Sequence, residues 1–153
     1  DPSGLGLRIC VIVSRFNVMV TDKLLEGARQ TLSESGVAEE DLDVVFVPGA
    51  WELPLAARRA CDQYSLPMIG GHYHAIVALG CVIRGQTAHF DMVGRNAIDG
   101  LARVQDEFRI PIGLGVLTPE NMEQAMARAG GSVGHAGVQA AEAALEMANL
   151  LRQ

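Results

Sequence analysis

Hydrophobic residues follow two patterns that alternate along this chain. The first is a short, continuous apolar run rich in β-branched residues, typical of strands that are buried on both faces. Such runs predict strands at Leu7–Val13, Leu42–Val47, Ala75–Leu79 and Pro111–Leu117. Helical segments separate the runs, which predicts that the strands lie parallel, because each connection must cross over the sheet.

The second pattern is an apolar spacing of three and four residues, which predicts helices with one buried face. The predicted helices are Asp22–Ser35, Trp51–Asp62, Phe90–Glu107, Thr118 to about Ala129, and Gly137–Leu151. Thr21 is a suitable cap for the first helix, and Thr118-Pro119-Glu120 combines a cap, a proline and an acid. Ser65–Gly71 and the glycine-rich Gly130–Gly134 are predicted loops.

These elements predict an α/β fold. It is a three-layer α/β/α sandwich with a four-stranded parallel sheet of the flavodoxin-like kind and helices on both faces. The 153 residues fit a single domain, 1–153. The net charge of −6 argues against nucleic acid as the main partner, because phosphate backbones attract basic surfaces. No apolar run approaches the roughly 20 residues that a membrane helix needs, so no membrane partner is expected.

The three cysteines, Cys10, Cys61 and Cys81, each stand among apolar residues. Their number is odd and no Cys-x-x-Cys pattern is present, so buried thiols in a reducing compartment are expected rather than a disulfide. A cytoplasmic location follows as an expectation. His72 and His74 flank Tyr73, which leaves open either a metal site or, more simply, a solvated loop.

Polar and aromatic residues follow each predicted strand, where parallel α/β sheets bind their ligands. The most informative segment is the Gly85-Gln86-Thr87 turn between a strand and a helix. Free backbone N–H groups beside a helix N-terminus favour an anion such as phosphate. His89 lies next to this turn, and histidine, with an unperturbed pKa near 6.5 as a residue type, is suited to proton transfer. The pattern suggests chemistry on a phosphorylated small molecule, although an ordinary loop with a capping histidine remains the alternative.

Several segments, in order, resemble the lumazine synthase family. They are Val13–Asn17, Val47–Pro54, Ala78–Asp91, Gly115–Thr118, Glu123–Gly130 and Ala144–Ala148. The resemblance implies condensation of 5-amino-6-ribitylaminouracil with 3,4-dihydroxy-2-butanone 4-phosphate. The products would be 6,7-dimethyl-8-ribityllumazine, phosphate and water, in the penultimate step of riboflavin biosynthesis. It implies no metal and no organic cofactor.

The resemblance also assigns site residues. His89 matches the catalytic histidine, and Gly85, Gln86 and Thr87 match the phosphate-binding turn. Arg128 matches a phosphate-contacting arginine supplied by the neighbouring subunit. The residues implied to bind the pyrimidine and its ribityl chain are Phe16, Asn17, Ala50, Trp51, Glu52, Val82, Ile83 and Leu114.

Structural alternatives accompany these assignments. Trp51 and Phe16 are also suitable core residues, and Glu52 would be a favourable charge in the first turn of a helix. Arg128 would likewise be favourable at a helix end. Two roles stay open for Arg84: contact with the ligand, or a structural ion pair.

The chain departs from the family pattern after Arg128. Ser132 and Ala136 stand where the family usually has lysines, and His135 replaces an asparagine. We expect weaker binding of the phosphorylated ketone, with His135 substituting in part when protonated. Leu114 replaces a phenylalanine that covers the pyrimidine from the neighbouring subunit.

The resemblance implies self-association into pentamers. The short break at Gly130–Gly137 favours a 60-subunit icosahedral shell, and riboflavin synthase is a further implied partner. Two other functions stay open at this point: a protein that binds a ribityl-flavin-like ligand without turnover, and a flavodoxin-like electron carrier.

Overall fold

The computed structural model describes residues 2–62, 72–86 and 88–152. Its strands are β1 (Ile9–Ser14), β2 (Leu42–Val47), β3 (Ala75–Cys81) and β4 (Ile112–Leu117). The helices are α1 (Val18–Glu34), α2 (Leu53–Cys61), α3 (Phe90–Phe108), α4 (Met122–Ala127) and α5 (Ala136–Leu151). Short 3-10 turns cover Glu39–Asp41 and Ala50–Glu52. The predicted loop at Ser65–Gly71 lies outside the described residues.

The strands form one parallel sheet in the order β2-β1-β3-β4, which confirms the predicted fold class. The register places Ile12 between Val45 and Ala78, and Ala78 opposite Leu114. Each face of the sheet carries its own apolar layer, because alternate side chains of a strand point to opposite faces. The predicted three-layer arrangement follows directly from these two layers.

One layer joins the sheet to α1 and α5, with Leu24 and Leu145 fully buried. The other joins it to α2 and α3 through Leu53 and Leu101. The glycine at Gly113 permits the first contact, because a Cβ at that position would overlap the carbonyl of Ala140 in α5.

Two predicted helix starts are wrong. The first helix begins at Val18, four residues early, because Asn17 adopts a left-handed conformation and serves as its N-cap residue. Thr21 is then buried inside the helix. The fourth begins at Met122 rather than Thr118, since the side-chain oxygen of Asn121 accepts a hydrogen bond from the Gln124 N–H at 2.8 Å.

The amino end of the sheet, opposite the candidate site, holds a buried polar cluster. Asp43 accepts hydrogen bonds from the Arg8 guanidinium at 2.9 Å and from the Tyr73 hydroxyl at 2.6 Å. The Arg8 guanidinium also lies 5.4 Å from the centre of the Tyr73 ring. Nδ1 of His74 accepts the Arg8 backbone N–H at 2.8 Å. These bonds connect β1, β2 and β3. Nδ1 of His74, the second histidine of the His-x-His pattern, is thereby used in a structural hydrogen bond.

Within residues 2–62, 72–86 and 88–152, no helix has the length and apolar character to cross a membrane. The same residues contain no group of three metal-binding side chains.

Candidate active site

The carboxyl ends of the four strands meet at one edge of the sheet, as the sequence predicted. Backbone hydrogen bonds continue beyond the strands and join neighbouring loops. The Arg15 N–H donates to Val47 at 2.8 Å and the Phe16 N–H to Pro48 at 3.1 Å. On the other side, the Val82 N–H donates to Leu117 at 2.8 Å. These bonds hold the candidate site on extensions of the sheet.

Asn17 connects the two halves of this edge. Its backbone is left-handed, with φ 63° and ψ 49°, and its side-chain Nδ2 donates to the Cys81 carbonyl at 2.9 Å. Asparagine tolerates this conformation better than most residues. The end of β1 is thereby fixed against the end of β3, and Phe16 is held immediately before the helix.

Phe16 and Trp51 project from the first two strand ends. Their side chains are 57% and 62% exposed, so neither is a core residue in this chain. Large exposed aromatic side chains beside a polar turn are available to stack on a flat heteroaromatic ligand. Ala50, which directly precedes Trp51, is buried. It packs in the apolar layer between the sheet and helices α2 and α3.

Glu52 has a structural contact already. Its Oε1 accepts the Gly49 N–H at 2.8 Å, which closes the 3-10 turn that precedes α2. This supports the alternative that Glu52 stabilises a helix start. The contact also fixes the position of the Glu52 carboxylate after the end of β2.

The predicted phosphate turn begins at Gly85, whose φ of +87° favours glycine. A Cβ there would meet no atom within 4 Å, so the backbone conformation, and not crowding, requires the glycine. The Gln86 N–H donates to the Ile83 carbonyl at 3.2 Å, which commits one of the predicted anion donors to the turn itself. Val82 and Ile83 are buried, and the Val82 N–H and the Ile83 carbonyl are used in the bonds to Leu117 and Gln86. Thr87 lies outside the described residues.

His89 is the N-cap residue of α3 and is exposed. In the part of the chain that the structure describes, its side chain makes no capping hydrogen bond to the helix. Its carbonyl accepts the Val93 N–H at 2.8 Å. The imidazole therefore lies at the start of the 19-residue helix α3, two positions after Thr87 in the sequence, and makes no capping hydrogen bond.

Arg84 is paired structurally. Its Nε lies 2.7 Å from a Glu120 carboxylate oxygen, and the guanidinium is 5.0 Å from the centre of the Phe90 ring. A second carboxylate, that of Asp91, lies 3.7 Å away. These exposed ion pairs add little to stability, but together they hold the turn after β3 against the loop after β4. No local sequence pattern predicts the contact between Arg84 and Glu120, because the two residues follow different strands.

Arg128 lies beyond the last strand, at the end of α4. It lines a cavity of about 200 Å³ with Leu117, Gly134 and His135. Leu114, on the edge strand β4, is 47% exposed. A larger open groove of about 710 Å³ follows α3 and is lined by Phe90, Met92 and Thr118, among others. This groove lies next to the predicted turn.

The three thiols are free and buried, which confirms the expectation for them. Burial raises the pKa of Cys10, Cys61 and Cys81 to about 12, although Tyr73 and Arg8 lower that of Cys10 slightly and Arg58 that of Cys61. Cys81 is therefore a neutral core residue and not a nucleophile.

Against models of known protein families, residues 6–152 match the family described as 6,7-dimethyl-8-ribityllumazine synthase. The chain belongs to this family. Lumazine synthases are transferases of riboflavin biosynthesis, and the match extends over the whole sheet and the edge described above. The family assignment confirms the resemblance drawn from the sequence and removes the electron-carrier alternative.

From the sequence we also expected that protonated His135 would substitute in part for a missing lysine. In the structure, His135 is the N-cap residue of α5, and its Nδ1 accepts the Val138 N–H at 3.3 Å. An imidazolium has no free lone pair, so this hydrogen bond does not fit a cationic ring.

Proposed function

We propose that this chain condenses 5-amino-6-ribitylaminouracil with 3,4-dihydroxy-2-butanone 4-phosphate. The products would be 6,7-dimethyl-8-ribityllumazine, phosphate and water. The observation that carries the proposal is the arrangement at one sheet edge of an exposed aromatic ring, a glycine turn and an exposed histidine, in a lumazine synthase family chain. We propose that residues 1–153 form one domain and act in the cytoplasm, which the three free thiols favour.

The aromatic side of the edge would bind the pyrimidine. Phe16 would stack on the ring, and such contacts add about 0.5–1.5 kcal/mol beyond burial. Trp51 and Glu52 would contact the ribityl chain, with Asn17 and Ala50 lining the pocket. Val82 and Ile83 would contribute backbone groups.

The glycine turn would bind the phosphate of the second substrate. Gly85 and Thr87 would offer donors there, and Gln86 would act through its side chain, because its N–H is committed to the turn. Arg128 of a neighbouring copy would supply a fixed fork of donors.

The chemistry would proceed by proton transfers at His89. An amine of the pyrimidine attacks the ketone carbon, a C–N bond forms, and water leaves to give an imine. Loss of a carbon-bound proton then expels phosphate, which departs with the electron pair of its C–O bond. The second amine attacks the carbonyl carbon that remains after elimination, a C–N bond forms, and a second water leaves as the ring closes. His89 would accept and return the protons, because histidine is the side chain most often used for proton transfer at neutral pH.

The decisive test is His89→Ala, followed by phosphate release and by lumazine fluorescence. General acid–base groups contribute about 10²–10⁴-fold to rate, so we expect kcat to fall within that range. His72→Ala is the matched control, because His72 is also exposed but lies at the opposite end of the sheet. A loss below about threefold in His89→Ala would remove the assigned role. If wild-type protein alters ligand fluorescence without releasing phosphate, the non-catalytic binding function is correct.

We propose further that the active form is at least a pentamer, with a 60-subunit shell as the larger form and riboflavin synthase as the enzyme that receives the product. The exposed Leu114 on the edge strand and the open groove along α3 support contacts between copies. Sedimentation and activity are measured on the same sample across a dilution series. Activity should fall as the assembly dissociates, and a fully active monomer would contradict the proposal.

A further inference from the structure

His135 lies at the junction of three segments. It caps α5 through the bond from the Val138 N–H, and its carbonyl accepts the Gln139 N–H at 3.1 Å. Histidine is not among the preferred N-cap residues, which are Ser, Thr, Asp and Asn. The ring therefore needs another reason to occupy this position, and its contacts supply one.

The imidazole fills a slot that glycines leave open. A Cβ at Gly27 in α1 would overlap the His135 ring, and one at Gly130 would lie 3.1 Å from its Cδ2. A Cβ at Gly137 would overlap the Leu24 carbonyl, so the start of α5 is pressed against the backbone of α1. The ring is thus held between α1 and the glycine-rich loop.

The same loop carries Arg128. Ala129 and His135 form an antiparallel bridge, and the Ala136 N–H donates to the Arg128 carbonyl at 2.8 Å. The Gly130 N–H donates to Gly134 at 2.9 Å. The Arg128 carbonyl is therefore bonded to Ala136, the residue after His135, and Arg128 and His135 line the same cavity.

We propose that His135 is a positioning residue for Arg128: by holding the Gly130–Gly134 loop against α1, it directs the guanidinium toward the phosphate of the substrate. This inference rests on the proposed function of Arg128 as a phosphate ligand. The loop contains Gly130 and Gly134 with φ +103° and +140°. Since glycine backbones are conformationally free, a loop of this kind needs an anchor.

The test uses inorganic phosphate as the probe and the full chain in its assembled state. Calorimetric titration compares wild type with Arg128→Ala, His135→Ala and His135→Asn. We expect His135→Ala to weaken phosphate binding about three- to tenfold, in line with the loss of a helix cap and its contacts. His135→Asn keeps a capping acceptor but lacks the ring that fills the slot beside Gly27, so it should weaken phosphate binding nearly as much as His135→Ala. If His135→Ala fails to fold, Gly27→Ala replaces it in the test, because a methyl group at Gly27 in α1 would displace the His135 ring.

His74→Ala is the matched control. It also removes an Nδ1 that accepts a backbone N–H, at 2.8 Å, but at the amino end of the sheet. It should lower the melting temperature without changing phosphate affinity. In an Arg128→Ala background, His135→Ala should have no further effect on phosphate binding, because the group it positions is gone.

Product formation by wild type tests the proposed function separately from phosphate affinity. A wild type that binds phosphate but forms no lumazine removes the proposed reaction and leaves the positioning role intact. The positioning role of the ring is wrong if His135→Ala binds phosphate as wild type does, or if His135→Asn does so, since a capping acceptor alone would then suffice. It is also wrong if the effect persists without Arg128, or if wild type does not bind phosphate.

Discussion

Asn17 offers the sharpest test of how the edge of the sheet is built. Two separate features make this residue necessary: its left-handed backbone and its side-chain bond to the Cys81 carbonyl. Alanine has no amide group to donate this hydrogen bond, and it tolerates the left-handed backbone less well than asparagine does. Loss of the hydrogen bond should cost about 1 kcal/mol of folding free energy. A residue that has a Cβ atom but no polar side chain costs about 1 kcal/mol more in the left-handed region. We therefore expect Asn17→Ala to lower the free energy of unfolding by about 2 kcal/mol.

Two further substitutions separate the contributions. Asn17→Gly removes the side-chain bond but accepts the left-handed backbone freely, so the loss should be about 1 kcal/mol. Asn17→Asp keeps the shape but replaces the donor with a carboxylate facing the Cys81 carbonyl. Its loss should exceed that of glycine, because two acceptors then face each other without a proton.

The measurement is urea unfolding followed by far-ultraviolet circular dichroism at one fixed protein concentration, because assembly adds to apparent stability. Fluorescence is the weaker probe, since Trp51 is already 62% exposed in the folded chain. If Asn17→Gly is as damaging as Asn17→Ala, backbone strain has no part in the effect. If all three variants unfold like wild type, the link between β1 and β3 does not stabilise the edge.

Two further predictions concern the amino end of the sheet. Tyr73→Phe removes the hydroxyl that donates to Asp43 at 2.6 Å but keeps the ring under Arg8. Hydrogen bonds to charged groups contribute about 1.5–3 kcal/mol, so urea unfolding should show a loss in that range with kcat unchanged; an unaltered midpoint would contradict it. Burial, with a smaller effect of Arg152, lowers the pKa of His74 below its ordinary value. As the pH falls, His74 is therefore protonated in the unfolded chain before it is protonated in the folded chain. The free energy of unfolding decreases as the pH drops below about 6.5. His74→Gln should lose less stability than wild type between pH 7 and pH 5 in the same assay, and parallel curves would remove His74 as a cause.

Local pattern predicted the strands and the layers well. The continuous apolar runs marked all four strands to within two residues at each end, because burial on both faces leaves a composition signal that needs no tertiary information. Helix starts were less predictable. Asn17 and Asn121 proved to be the caps where Thr21 and Thr118 were expected. Several polar residues stood near each boundary, and the loop paths decided which one the helix used.

The fold class, the family, and the sheet edge that carries Phe16, the Gly85 turn and His89 were all predictable from the amino-acid sequence. They follow from periodicity and from residues close together along the chain. The pairing of Arg84 with Glu120 and the packing of His135 against Gly27 were visible only in the folded chain. Such contacts join segments far apart in sequence, and they depend on how closely two backbones approach, which no local pattern encodes.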